Sequence, residues 1–427
     1  MIGLLGKTLS HSLSKPLHEA LGTENYHLFE TDDLERFIKR SAFRALNVTI
    51  PYKRDIVRFC SKRDEVVEAT GVANTIIRAD DGTLHAYNTD YDALRTLIDW
   101  YAPKDHTRPV AIIGNGSTAR TARYALEQAG FHDIRTYARH PNEGDYPLTQ
   151  IHAIRQASLL IQATPVGTHP DLEGGFALDL QGSQLKWVLD VVYNPPQTKL
   201  VQQAREANII AHSGLTMLIL QALYARAHFT NHPVSLERLP DLHAQLLKLL
   251  SNITLIGPPF SGKSTIAPRL AERLGKYAVD TDTRIESKSG MRIQDIFSRL
   301  GEKTFRSMEK HQTLAVAAQG NQVIATGGGA VLQDALMRAL QRTGPVVHID
   351  PDIELMRNIP LKNRPLINSW QDYEQLRKVR DPLYTQYADI RLHKTSLDLE
   401  ALLHEIEVKL DAYFRHQWTE LESSRKT

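Results

Sequence analysis

Cysteine is all but missing from this chain: 427 residues contain one, Cys60. A disulfide framework within the chain and a zinc site built from cysteines are both excluded. The lone thiol reads as a small buried hydrophobe in a protein of the reducing cytoplasm. Long apolar runs are also absent. No stretch of about 18 apolar residues occurs, so no membrane-spanning helix is expected. Residues 1–6 (MIGLLG) are too short, and lack the basic flank, for a secretory signal; they read as a first strand ending in a glycine turn. Neither sign of charge is in excess. Lys+Arg 51 against Asp+Glu 49 leaves +2 with the histidines neutral, which gives no overall attraction to nucleic acid or to an anionic membrane. Neither is expected as a partner, and any anion must be bound locally. With 42% hydrophobic and 23% charged residues the composition is that of a globular protein, neither disordered nor fibrous.

The length accommodates two or three domains, each with its own core. Three segments share one pattern, an apolar run that breaks into glycine and then a helical stretch: residues 110–116 (VAIIGNG), 253–262 (ITLIGPPFSG) and 323–329 (VIATGGG). Short β-branched runs ending in tight glycine turns are the grammar of parallel α/β units, whose ligands sit at the carboxyl ends of the strands. Residues 230–242 (TNHPVSLERLPDL), with two prolines and no strand signal, are the best linker, followed by Leu246, Leu247, Leu249 and Leu250 on a helix. Residues 419–427 (TELESSRKT) have no apolar side chain after Leu421 and are expected to fray.

Residues 257–264 read GPPFSGKS, a G-x-x-x-x-G-K-[ST] match between a strand-like run and a helix. Its glycines let backbone amides curl around a polyphosphate, Lys263 can bridge the terminal phosphates and the Ser264 hydroxyl can ligate Mg²⁺. The loop indicates nucleotide binding without naming the acceptor. Further motifs follow in order: Asp280 and Asp282 in VDTD, Phe305 and Arg306 in EKTFRSME, Gly327, Gly328 and Gly329 in TGGGA, Arg364 in NRPL and Arg380 in RDPLY. With these, residues 252–414 resemble shikimate kinase. The resemblance implies Gly257, Gly262, Lys263, Ser264, Thr265 and Arg364 as ATP contacts, Arg364 lying on a closing lid. Asp282 would accept the proton of the acceptor hydroxyl, and Asp280 would support Mg²⁺ through water beside Ser264. Arg306 and Arg380 would bind the acceptor carboxylate, since a planar guanidinium can meet it bidentately. Gly327, Gly328 and Gly329 would let the backbone approach the ring. Plainer readings exist: a solvated strand end for Asp280 and Asp282, and a helical surface pair with Glu309 for Arg306.

In the first half, Gly114, Gly116 and Ala119 form G-x-G-x-x-A between a strand and a helix. No acidic residue stands at the end of the next strand to hold a ribose 2′-hydroxyl; Arg139 is there instead, which favours NADP over NAD, unless it is only a surface residue. Polar residues interrupt apolar segments at Ser12 and Ser14 (HSLS), Asn47, Thr49 and Lys53 (NVTIPYK), Asn74 (GVANT) and Asp90 (YNTD). Asp190 and Tyr193 (DVVYNPPQT) and Met217 and Gln221 (GLTMLILQA) follow. This constellation resembles shikimate dehydrogenase over residues 1 to about 229. The resemblance implies Ser12 and Ser14 on the substrate carboxylate, and Thr49, Asn74, Asp90, Tyr193 and Gln221 on the carboxylate or ring hydroxyls. Lys53 would sit beside the carbon that changes oxidation state, and Ser117, Thr164 and Gly214 would join Gly114, Gly116, Ala119 and Arg139 around the cofactor. A lysine ammonium next to an aspartate can donate a proton to a nascent oxyanion; which of Lys53 and Asp90 moves it stays open. Departures from the family pattern are Lys15 before Pro16, Tyr91 and Ala93 in place of glycines, Asn115 and Ser117 in the cofactor turn and Ala138 before the arginine.

The expected fold is therefore α/β throughout: an N-terminal α/β substrate domain plus a Rossmann dinucleotide-binding domain, then a P-loop kinase domain with a parallel sheet and a lid. Expected boundaries are 1–92 for the substrate domain, completed by a helix at about 213–230, 93–212 for the NADP-binding domain, 231–251 for the linker, 252–418 for the kinase and 419–427 for the tail. The expected activity is reduction of 3-dehydroshikimate with NADPH followed by phosphorylation of shikimate with MgATP. A quinate-type preference of the first half, and a metabolite-sensing regulator with degenerate enzyme domains, are the alternatives. Lys53, Asp90, Lys263, Ser264 and Asp282 are all present, which counts against the latter, as does the lack of a DNA-binding module. Oligomeric state is left open.

Overall fold

Each of the three glycine-terminated runs is an interior strand of a parallel sheet in a computed structural model that describes residues 1–9, 12–357, 367 and 369–426. Their side chains are buried on both faces, which is why they read as continuous apolar runs rather than alternating ones.

The first sheet runs in the order Tyr26–Glu30, Ile2–Gly6, Ala45–Val48, Thr75–Arg78, Leu84–Tyr87, Lys62–Arg63. Its first three strands are parallel; the hairpin Thr75–Arg78 to Leu84–Tyr87 brings antiparallel pairing. The helix Leu215–Thr230 returns to this sheet, where Ala225 and Phe229 pack with Leu4, Tyr26 and Ala45, and Arg44 Nη2 donates to the Phe229 carbonyl at 2.9 Å. Cys60 is buried, with its Sγ 3.4 Å from the Ile56 carbonyl.

The second sheet is wholly parallel, in the order Ile210–His212, Trp187–Asp190, Leu159–Gln162, Val110–Ile113, Ile134–Ala138, Tyr146–Pro147. The chain starts in the middle, builds one side and then the other, so a crevice opens beyond the ends of Val110–Ile113 and Leu159–Gln162. The third sheet, Tyr277–Asp280, Gln322–Ala325, Ile253–Ile256, Val346–Pro351, Ile390–Lys394, is also parallel and has its crevice beyond Ile253–Ile256.

The segment between the second and third sheets is more than a tether. Helix Leu239–Leu250 buries Leu239, Leu242 and Leu246 between helices Leu215–Thr230 and Leu399–Ser423, and one apolar cluster runs through all three. The frayed end expected from 419 onwards is corrected as well. Helix Leu399–Ser423 continues through it with Trp418 buried, and the Tyr101 hydroxyl donates to the Leu421 carbonyl at 3.1 Å. The Arg425 guanidinium lies 3.5 Å from the ring centre of Trp100 and 5.0 Å from that of Trp418. Composition hid this because the contacts are made by backbone and by a cation on aromatic faces rather than by aliphatic side chains. Among the described residues no helix is long and apolar enough to cross a membrane.

Two candidate active sites

The first site is a cleft of about 670 Å³ between the first two sheets, and its lining includes Ser12, Ser14, Thr49, Lys53, Asn74, Asp90, Tyr193, Gly214 and Gln221. Residues far apart in sequence meet because both sheets end at this cleft. Asn88 caps the helix Thr89–Tyr101 through its side chain, and Asp90 follows in the first turn, where the positive end of the helix favours a carboxylate. Lys53 Nζ stands 2.6 Å from Asp90 Oδ2, with side-chain exposures of 14% and 7%. Asn74 fixes the other oxygen, donating from Nδ2 to Asp90 Oδ1 at 2.9 Å while accepting from the Thr89 N–H at 2.7 Å. The pair is thus held rigidly and faces the cleft. Ser14 N–H donates to Ser12 Oγ at 3.1 Å at the start of helix Ser14–Ala20. Burial pushes the Tyr193 phenol up and keeps it a neutral donor. Asp92 is raised to about 6, first by burial and then by Asp64 and Asp90 nearby.

The dinucleotide turn lies at the crevice of the second sheet. Gly114 has φ +110°, and a Cβ there would fall 2.8 Å from Thr164 Cγ2, so the turn packs directly on Thr164. Gly116 opens helix Ser117–Gln128 with no side-chain cap and with empty space about its Cα. Uncapped N–H groups beside a residue without a side chain fit a pyrophosphate. Ala119 is buried in that helix, and Arg139 is exposed just past strand Ile134–Ala138. Gly214 is pressed so closely on Val191 that a Cβ would come within 2.0 Å of its carbonyl oxygen. Asp190, quoted in its motif without a role, is a buried structural group. It accepts from Thr198 Oγ1 at 2.7 Å, Val192 N–H at 3.0 Å and Gln162 Nε2 at 3.1 Å, and burial raises it to about 7 against those hydrogen bonds. Thr118, in the first turn of helix Ser117–Gln128, and Thr168, in a loop, line the cleft without having been singled out; neither carries a signal by spacing.

The second site lies over the third sheet. Gly257 has φ +147° and would place a Cβ 2.4 Å from the Ile349 carbonyl; Gly262 has φ +96°. The loop between them curls round the Lys263 ammonium, which donates to the Gly257 and Pro258 carbonyls at 2.9 Å each and to Ser261 Oγ at 3.0 Å. Helix Lys263–Leu274 starts here without a side-chain cap, a fit for a polyphosphate, and Thr265 is exposed in its first turn. Ser264 Oγ donates to Asp280 Oδ2 at 2.5 Å, while Asp280 caps helix Thr281–Ser289 through the Thr283 N–H at 3.0 Å. Among the described residues no group of three or more acidic, histidine or cysteine side chains could hold a metal alone. A Mg²⁺ bound mostly by phosphates and water needs only one or two protein ligands, so Ser264 and Asp280 suit it.

Asp282, Arg306, Gly327, Gly328, Gly329 and Arg380 meet around a cavity of about 60 Å³ with Phe297, Phe305 and Ile367. The glycines are needed here: a Cβ on Gly327 would lie 2.6 Å from Asp282 Oδ1, and one on Gly329 2.3 Å from Arg306 Nη1. Arg306 does form helical ion pairs, at 2.9 Å with Glu302 and 2.8 Å with Glu309, yet these hold the guanidinium against the glycine loop instead of out in solvent. Glu309 is fully buried, its carboxyl raised by that burial although Arg306 opposes the shift. Gln333 Nε2 donates to it at 2.9 Å. Arg380 Nη1 and the Tyr384 hydroxyl both donate to the Gly328 carbonyl, at 3.0 and 2.5 Å. Glu309 and Tyr384 stand inside the quoted EKTFRSME and RDPLY without a site role having been given to them, and Gln333 lies outside the motifs; four-residue spacing from Arg380 places Tyr384 on the same helix face. Arg364 lies outside the described residues.

Comparison with known proteins bears on both halves. A family model for the shikimate dehydrogenase substrate binding domain matches residues 4–76, and one for shikimate kinase matches residues 259–411. A shikimate kinase of Symbiobacterium thermophilum is 40% identical over 166 residues, 37% of this chain and 95% of that protein. A shikimate dehydrogenase (NADP(+)) of Chlorobaculum tepidum is 33% identical over 281 residues, 56% of this chain and 93% of that protein. In fold, the first half is like a chorismate mutase/shikimate 5-dehydrogenase fusion protein from Clostridium acetobutylicum, with a TM-score of 0.52 at 23% identity over 57% of this chain and 96% of that one.

Proposed function

We propose that this chain, which belongs to the shikimate dehydrogenase family in its N-terminal half and to the shikimate kinase family in its C-terminal half, carries out two consecutive reactions. The first half reduces 3-dehydroshikimate to shikimate with NADPH; the second phosphorylates shikimate at its 3-hydroxyl with MgATP. The reading rests above all on one observation: each half brings its own separate set of polar groups together in a cleft at the ends of its strands. Residues 1–92 with the helix at about 213–230 form the substrate domain, 93–212 the NADP domain and 252–418 the kinase.

When bound, NADPH supplies the hydride and MgATP the phosphoryl group. In the first cleft Ser12 and Ser14 hold the substrate carboxylate, and Thr49, Asn74, Tyr193 and Gln221 orient the ring. The Lys53 ammonium would neutralise the charge that builds on the substrate carbonyl oxygen during reduction and give up a proton to it. Asp90 holds that ammonium in place at 2.6 Å. Arg139 is placed to meet a 2′-phosphate, with Gly114, Gly116, Ser117, Ala119, Thr164 and Gly214 around the rest of the cofactor. In the second site Arg306 and Arg380 take the carboxylate, Gly327 to Gly329 admit the ring, and Asp282 receives the proton of the attacking hydroxyl. Lys263 would bind phosphate oxygens, Ser264 would hold the metal with Asp280 supporting it through water, and Arg364 would contact the nucleotide.

A coupled assay tests the reading: purified protein with 3-dehydroshikimate and NADPH is expected to yield shikimate, and addition of MgATP to convert it to shikimate 3-phosphate. Lys263→Ala is expected to stop the chain of products at shikimate with NADPH oxidation unchanged. Absence of either product from the native protein overturns the corresponding half of the proposal.

A further inference from the structure

We infer that Arg342, in the kinase half, is a positioning residue of the dehydrogenase. It stands at the end of helix Asp334–Thr343 with its side chain 4% exposed. Among the described residues, every side-chain hydrogen bond of its guanidinium, all from Nη1 and Nη2, is made with the other half. Nη1 donates to Gln202 Oε1 at 3.0 Å, and Nη2 donates to the Leu172 carbonyl at 3.1 Å and to the Glu173 carboxylate. Its own carbonyl accepts from the Gln197 N–H at 3.2 Å. One helical turn earlier, Arg338 pairs with Glu206. Leu172 leaves its own unit altogether and is buried in the kinase core beside Leu336, Met337 and Leu340.

Leu172 and Glu173 belong to the loop of residues 164–175, which begins at the dehydrogenase site. Thr164 packs against the Gly114 turn, and Thr168 lines the substrate cleft. The loop is stiff between those points and its docked tip. Thr168 N–H donates to the Pro165 carbonyl and Asp171 N–H to that of Thr168, both at 3.0 Å. Gly174 folds back so that a Cβ on it would lie 2.9 Å from the Gly167 nitrogen. A buried guanidinium must keep its partners, since an uncompensated buried charge is strongly unfavourable. The register of Leu172 on Arg342 therefore sets where Thr168 and Thr164 stand.

This inference rests on the dehydrogenase reading for its kinetic test and on geometry alone for its structural one. In the full chain, Arg342→Ala is expected to raise KM for NADPH and for 3-dehydroshikimate by roughly 2- to 30-fold, the range for mutations that act through a coupled element. Dehydrogenase kcat, and kinase kcat/KM, should stay within about twofold, so that a general loss of folded protein is distinguished. Amide hydrogen exchange at residues 166–175, followed without substrate, should accelerate in Arg342→Ala while the strand Val110–Ile113 keeps its protection. If Arg342→Ala does not fold, Gln202→Ala and Arg342→Lys decide, because lysine keeps the charge near Glu173 but cannot also reach Leu172 and Gln202; the same KM rise is expected. Unchanged KM with unchanged loop exchange, or an equal fall in both activities, overturns the inference. Loop exchange that responds as expected in a protein that never oxidises NADPH would uphold the positioning contact and overturn the dehydrogenase reading alone.

Discussion

Replacing Lys53 by methionine isolates the charge at the first site. Methionine nearly matches lysine in length and fills the space of its stem, so no cavity opens and the change is the loss of one ammonium. The structure says what is left behind: Asp90, 7% exposed, loses its 2.6 Å partner but keeps the 2.9 Å bond from Asn74 and its place in the first turn of a helix. Removing one member of a buried pair costs about 3–5 kcal/mol when nothing else compensates. With two compensating groups, and with Lys53 still 14% exposed, the loss should fall near or below the bottom of that range. The catalytic loss should be larger. A positioned proton donor contributes about 10²- to 10⁴-fold, which is about 2.7–5.4 kcal/mol of barrier. The assay is NADPH oxidation with 3-dehydroshikimate, alongside a denaturant melt and direct NADPH binding. The expected result is a kcat at least about a hundredfold lower with NADPH affinity and phosphorylation of added shikimate unchanged. A kcat within threefold of the native value refutes the proton-donor role, and a matching loss of NADPH binding would show that Lys53 holds the cleft together.

Other perturbations reach different parts of the molecule. Arg139→Glu should shift the NADPH to NADH ratio of kcat/KM towards NADH by at least about tenfold, the worth of one lost charge-assisted contact; an unchanged ratio removes Arg139 from the 2′-phosphate. Gly257→Ala should lower phosphoryl transfer by more than about tenfold through the clash with the Ile349 carbonyl while NADPH oxidation is spared, read in the same coupled assay. Asp190 is raised from 3.8 to about 7, so folding favours its protonated form. Its stabilising share is complete below pH 4 and is lost as pH rises through about 7. Asp190→Asn, whose amide can still accept at one position and donate to Thr198, should flatten that fall in urea melts between pH 4 and 7; an unchanged slope would show that Asp190 is ionised throughout.

The sequence made the two sites readable because their chemistry is local. Glycines at 114, 257 and 262 mark turns whose backbone angles or close approaches a side chain would spoil, and polar residues such as Asn74 and Asp90 stand out at the ends of apolar segments. What could not be read were the contacts between elements. Leu172 looks like any loop leucine, Arg342 like any basic residue near a helix end, and Glu309 like a surface partner of Arg306, until the fold shows what covers them. The motif around Asp190 gave that residue no role, and only the fold shows it buried among Thr198, Val192 and Gln162. The apolar spacing of helix Leu239–Leu250 announced a helix but not that it is buried between two others.

Helix Leu399–Ser423 also sets an order in time. Trp100 and Tyr101 belong to the first half, yet the groups that cover them, Leu421 and Arg425, are translated some three hundred residues later. At about 5–20 residues per second, the roughly two hundred residues after Thr230 take about 10–40 s to emerge. For most of that interval a nascent chain that has already finished its first two sheets carries, on helix Leu239–Leu250, the apolar face that Leu399–Ser423 later covers, a surface that chaperones recognise. A chain that stalls inside the kinase lacks helix Leu399–Ser423, and its dehydrogenase half is left with Trp100 and Tyr101 uncovered on that side.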